Sequence, residues 1–228
     1  MRDLQPLIAS LLLELVELRH DLHRHSELGY EEHETAARIV SQLQDVPGIE
    51  LRTGVAGTGV VATLGAERAG ACVALRADMD ALPIEELGDH AHRSTVPGKM
   101  HACGHDGHVT CLVGAARVLA QLGDELEGPV KFLFQPAEEG GAGGRRMCEE
   151  GVLAIRRCAP FSVCTAGQVS PRARSASARG RCWPVPIACG SRCTAPAPTP
   201  LSRTRAATRS SWRPTSARRF WREGPQTT

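Results

Sequence analysis

Apolar residues recur at helical spacing from residue 4 to residue 24: Leu4, Leu7, Ile8, Leu11, Leu12, Leu15, Leu18 and Leu22. A repeat near 3.6 residues lines them along one face, which predicts a first amphipathic helix. A polar loop, His23 to Tyr30, follows, and His25 within it reads as a surface histidine. Glu31 to Leu43 predicts a second helix with Ala36, Ala37, Ile39, Val40 and Leu43 on its apolar side, ended by Pro47-Gly48. The pattern then shortens. Gly59 to Leu64 and Ala71 to Arg76 are apolar or β-branched runs bounded by glycine, which predicts buried strands, with Cys72 a core thiol. Val109 to Leu122 returns to helical spacing, Val130 to Phe134 predicts a further strand, and Arg145 to Leu153 a short helix. Two helices, two strands, then helix, strand, helix predict a three-layer α/β domain.

Polar constellations follow two of these strands. The second strand runs into Asp78-Met79-Asp80, and the third delivers Glu138-Glu139 followed by Gly140-Gly141. The ends of strands are where α/β sheets place ligands, and adjacent carboxylates repel unless a cation offsets them. Between them lies Met100-His101-Ala102-Cys103-Gly104-His105-Asp106-Gly107-His108, with three His, one Cys and one Asp in nine residues. In an extended segment or tight loop, Cys103 and His105 can turn toward one point, and a borderline cation accepts thiolate and imidazole together. One acidic pair is equally a capped turn or a solvated loop. Three clusters of metal-compatible residues argue for a site.

Charge divides the chain in two. Residues 154–228 hold 14 Arg, no Lys and a single acid, Glu223, whereas all nine His lie before residue 109. The segments thus expected are a catalytic-type domain over 1–153 and a basic, Arg-, Pro-, Ala- and Ser-rich tail over 154–228, expected to be disordered. Its Arg and three Trp are compatible with phosphate contact and base stacking, but they lack periodicity, so nucleic acid is not the expected partner. Its five Cys contain no CxxC pair. Nine Cys without an apolar leader suggest a reducing, cytoplasmic setting, and no run of 18 apolar residues predicts a membrane span.

Four segments are similar to those of the metal-dependent amidohydrolases related to hippurate hydrolase, which include N-acyl-amino-acid deacylases and plant auxin-conjugate hydrolases. They are Leu18–His23, Arg76–Pro83, Met100–His108 and Gln135–Gly141. The resemblance covers about residues 10–153 and implies part of a three-layer zinc-peptidase-like catalytic domain. It implies Cys103, His105 and Glu139 as ligands of zinc or manganese, in one or two ions. It implies Glu138 as general base, and Asp80, or less so Asp78, as the residue that orients a ligand or bridges the site. His101, Asp106 and His108, with Asp78, are candidates for supporting ligands or touching substrate. The substrate implied is a small N-acyl amino acid, cleaved at its amide.

The family pattern also asks for a GLHxWP-like segment after Leu153, a smaller lid or dimerisation domain and a last His ligand, none of which residues 154–228 spell. Read one base out of register with plausible codons, Ser162–Gln168 can spell GLHGWP and Cys193–Thr204 can spell HGTGAHAAVPH. A frameshift near residues 153–158, in the gene or in its sequencing, is therefore expected, and an uninterrupted genomic frame would refute it. On that reading the chain has little or no activity as it stands, and the family's dimerisation is not carried over. The alternative is a non-catalytic metal-binding remnant.

Overall fold

The first apolar stripe forms α1, Gln5–Arg24, opened by a proline in its first turn and closed by basic His23 and Arg24, which suit its negative end. Leu11, Leu18 and Leu22 are its buried apolar face. The helix α2, His33–Leu43, buries Thr35, Ile39 and Leu43, one turn apart. Its first N–H groups are satisfied from outside: Glu27 accepts from Glu34 N at 3.1 Å and from Thr35 N at 2.8 Å. The computed structural model describes residues 3–153 and the backbone of 158–163. These residues belong to one unit, Met1–Gly190.

Strands β1 (Ile49–Val55), β2 (Gly59–Leu64), β3 (Cys72–Asp78), β4 (Val130–Gln135) and β5 (Cys158–Val163) form one sheet in the order β1-β2-β4-β3-β5. The pairs β1–β2 and β2–β4 are antiparallel, while β3 runs parallel to both β4 and β5. Period-two alternation sorts the two faces. Val60, Ala62, Leu64, Phe132 and Phe134 meet α1, α2 and the helix α3, His105–Ala120. Val61, Ala74 and Leu133 meet Met147 of α4, Gly143–Glu149, and Val152. The expected three layers are therefore present. Phe132 and Phe134 are fully buried, and each such side chain contributes about 1.5–3 kcal/mol.

Three differences from the sequence-based expectation concern the site. The strand β1 was not expected, because only Ile49 and Leu51 alternate with Glu50 and Arg52 on what is an edge strand. The helix α3 begins at His105, four residues before the expected Val109, because Gly104 takes φ +80° and so turns the chain into a helix there. Cys103, His105 and His108 thus straddle a helix start instead of lying in an extended loop. The strand β5 lies beyond residue 153, so the sheet runs past the boundary that composition suggested. The rest of the expected tail, residues 154–157 and 164–228, lies outside the described residues. Among the described residues no helix is long and apolar enough to cross a membrane.

Candidate metal centre

The parallel pairing of β3 and β4 sets Asp78 opposite Gln135, so the two strands release their polar segments side by side. The N-terminus of α3 arrives at the same edge. Cys103, His105 and Glu139 each place a donor atom within 4.8 Å of the others. The His105 ring is oriented from behind: Nδ1 lies 2.8 Å from the Asp80 carbonyl, which can only accept. The proton therefore sits on Nδ1, and the Nε2 lone pair faces Glu139 Oε1 at 3.8 Å and Asp78 Oδ2 at 3.6 Å.

Charge at this edge is heavily negative. Partial burial, then the hydrogen bond to Glu139 and the charges of Glu139, Asp78 and Glu138, push the Cys103 thiol up to about 11. Burial alone would lower His105, but Asp80 and Asp78 outweigh it and raise its pKa. Burial alone would raise Asp78, yet His108, Arg76 and His105 hold it below its ordinary value. Asp80 is likewise held down against burial, by His105 and by the N–H groups of Glu139 and Glu138. Cys103, His105 and Glu139 are one soft, one borderline and one hard donor, a set that suits zinc or a related divalent ion. The residues present fit such an ion.

The loop that carries Glu138 and Glu139 is held from below. Asp80 Oδ2 accepts Glu139 N–H at 2.9 Å, and its other oxygen is buried without a hydrogen bond. Glu32, fully buried, accepts Ala137 N–H at 2.8 Å and the Thr58 hydroxyl at 2.5 Å. Tyr30 Oη donates to the Gly141 carbonyl at 2.5 Å. Ala137 and Ala142 both take positive φ, 48° and 56°, which these tethers sustain. Beside the centre, Arg76 Nη1 reaches Asp78 Oδ2 at 2.8 Å, and Asp78 Oδ1 bonds His108 Nδ1.

The residues singled out in the sequence thus separate into groups. Cys103, His105 and Glu139 converge. Glu138 is exposed on the same loop. Asp80 supports the loop and the His105 ring from beneath. Asp78 and His108 form a buried pair that, with His105, is a second cluster of possible ligands. Asp106 turns the other way, to His23 Nδ1 at 2.7 Å and Arg19 Nε at 3.0 Å. His101 is 4% exposed with neither ring nitrogen hydrogen-bonded, and burial lowers its pKa to about 4, which keeps it neutral. Sequence reasoning missed Glu32, Tyr30 and Arg76. A carboxylate one residue before a helix is ordinarily a surface cap, so nothing local marks Glu32 as the anchor of a loop 105 residues away.

Residues 74–176 match the family profile of Peptidase family M20/M25/M40. That segment is similar to a Peptidase M20 domain. Over 139 residues it is 51% identical to the Arabidopsis thaliana IAA-amino acid hydrolase ILR1-like 5, a match covering 61% of this chain and 32% of that protein. It is 45% identical over 146 residues to the N-acetyl-L-cysteine deacetylase of Bacillus subtilis (strain 168), covering 64% of this chain and 35% of the relative. Among solved structures, the Bacillus subtilis YXEP protein, described as a dinuclear metal-binding peptidase from the M20 family, superposes with a TM-score of 0.61 at 42% identity. That match covers 65% of this chain and 41% of the other. The chain thus spans about a third of the length of the curated relatives it matches. The M20 profile runs through the whole candidate centre, from β3 to the Glu138–Glu139 loop.

Proposed function

We propose that this chain holds a divalent cation at Cys103, His105 and Glu139 and serves the hydrolysis of the amide bond of N-acyl amino acids, with Glu138 as general base. The observation that carries the reading is the convergence of these three donors beside an exposed carboxylate on the same loop. Three protein ligands and one open position is the usual count for a catalytic zinc site. A bound divalent cation supplies a Lewis acid that polarises a carbonyl and lowers the pKa of water nearby.

The chain's own residues do the rest. Glu138 takes a proton from the attacking water and returns it to the departing amine nitrogen. The products are a carboxylate and a free amino acid. Asp80 fixes the Nδ1–H tautomer of His105 from beneath and anchors the Glu138–Glu139 loop, so base and ligands keep one spacing. His108 and Arg76 hold the Asp78 carboxylate ionised beside the centre.

The relatives named for N-acetylcysteine and for IAA-amino acids support the substrate class, a small amide whose amine half is an amino acid. The test is release of amino acid from N-acetyl and N-benzoyl amino acids by the purified full chain loaded with zinc or manganese. Metal-dependent release, lost in Glu138→Gln while metal uptake is kept, is expected. Metal uptake without any release would favour a non-catalytic metal-binding role, and release indifferent to Glu138→Gln would remove the assigned base.

A further inference from the structure

Away from this centre, five of the nine histidines gather where α1 meets the loop between β3 and α3. His23 and His90 both address one carboxylate: Glu86 Oε1 lies 3.2 Å from His23 Nε2 and 2.7 Å from His90 Nε2. His92 stacks on His20 and lies tilted against His90, each with ring centroids 4.1 Å apart. His101 sits 6.2 Å from the His23 ring, centroid to centroid.

The tautomer of His23 is settled by its other side. The Asp106 oxygen that meets Arg19 Nε at 3.0 Å also faces Nδ1 at 2.7 Å as an acceptor, so Nδ1 carries the proton. His23 Nε2 then presents a lone pair to the Glu86 carboxylate unless a second proton or a cation intervenes. His90 Nε2 meets the same carboxylate oxygen, and the two rings lie 5.6 Å apart by centroids. One divalent cation satisfies both imidazole nitrogens and the carboxylate at once.

We propose that His23 Nε2, Glu86 and His90 Nε2 form a second metal site for a zinc-class divalent cation. The three place their donor atoms within 4.8 Å of one another. The carboxylate–imidazole arrangement Asp106–His23 is the usual outer support of a metal-bound histidine. Two ligands, His23 and Glu86, are 3% exposed, while His90 is exposed and gives the ion an entry path. The other Glu86 oxygen accepts the Ser94 N–H at 2.6 Å, which fixes the carboxylate in place. The site clamps the Glu86–Ser94 loop to α1 and, through Asp106, to the first turn of α3. His105 and Asp106 are neighbours, so adjacent residues serve the two centres on opposite sides. This site needs no thiol and does not depend on the hydrolytic reading.

That independence supplies the test. Accessible thiols of the metal-stripped full chain are alkylated under native conditions, which removes Cys103 and any other exposed sulfur as a ligand. Cobalt uptake is then measured by equilibrium dialysis and by its visible d–d bands. One equivalent bound through nitrogen and oxygen is expected, lost or weakened at least tenfold in His90→Ala. Zinc should raise the melting temperature of the alkylated wild type and not that of the variant, and without metal the two should melt alike. Equal uptake by both proteins, or none by the alkylated wild type, overturns the proposal. Loss of the thiolate-to-cobalt charge-transfer band on alkylation reports separately on the Cys103 centre.

Discussion

Replacing Glu32 by Ala separates the role of the loop tether from that of the ligands. Glu32 touches neither Cys103 nor His105. It accepts the Ala137 N–H at 2.8 Å and the Thr58 hydroxyl at 2.5 Å from a fully buried position. Truncation leaves two buried donors without acceptors, and each costs about 1–3 kcal/mol. Removing a carboxylate that burial disfavours returns part of this, so a net loss of about 2–4 kcal/mol is expected. In a unit of this size that corresponds to a fall in melting temperature of roughly 6–12 °C. The carboxyl also shapes the pH dependence. Burial, the largest effect, raises its pKa above 4.5, against hydrogen bonds from Thr58 and Ala137 that lower it. A raised folded-state pKa means that the folded chain binds the proton more tightly. Its contribution is therefore full below the unfolded value and is lost as pH rises through the folded one. Glu32→Gln keeps an acceptor for Ala137 and lets the Thr58 hydroxyl turn to accept. It should melt near the wild type and remove this part of the slope. Thermal melts of the three proteins from pH 4 upward, with zinc uptake measured alongside, decide the matter. If Glu32→Ala melts within a degree or two of the wild type and binds zinc as tightly, the tether is not what sets the Glu138–Glu139 loop.

Metal loading at the Cys103 centre should release about one proton near neutral pH, since the thiol sits at about 11 and binds as thiolate. Calorimetry in buffers of different ionisation enthalpy would show it, with affinity rising as pH rises, and Cys103→Ser should lose the release. Gly143→Ala places a methyl 1.8 Å from the Pro136 carbonyl oxygen; backbone on both sides cannot give way, so a loss of about 3 kcal/mol or failure to fold is expected in denaturant melts. Gly104→Ala meets nothing within 4 Å and suffers only its φ of +80°, a cost of about 1–2 kcal/mol, so it should fold and serve as the milder control. Phe134→Ala empties a fully buried position between the sheet and its helices and should cost about 3–5 kcal/mol.

Much of the layer order could be read from the chain because its cause is local. Leu11, Leu18 and Leu22 repeat at helical spacing whatever they pack against, and Val60, Ala62 and Leu64 alternate whatever lies beyond them. The three-residue convergence was legible for a related reason: strand ends and a His/Cys-dense turn each carry their own signal. What stayed hidden depends on partners remote in sequence. β1 exposes most of its side chains at the sheet edge, so its alternation is weak. The start of α3 turned on the left-handed Gly104, and a glycine in a polar run does not announce its φ. Glu32 and Tyr30 resemble surface residues until Ala137 and Gly141 fold over them. The His23–Glu86–His90 cluster joins α1 to the loop between β3 and α3, a pairing that no local pattern marks.

The charges around the Cys103 centre explain why these particular residues are left for a cation. Asp78 is spent on Arg76 and His108. Asp80 is spent on the N–H groups of Glu138 and Glu139 and lies 3.2 Å from His105 Nδ1. The positive end of α3 faces the same group of acids. With those pairs closed, the uncompensated groups are Glu139, Glu138 and Cys103 once ionised. On the proposed reading, a divalent cation would cancel Glu139 and the thiolate and leave Glu138 as the free carboxylate of the loop. The same cation makes ionising a thiol at about 11 affordable near neutral pH. On the proposed reading, Asp80, which takes the N–H groups of Glu138 and Glu139 and steers His105, would hold the base beside the ligands without making it one.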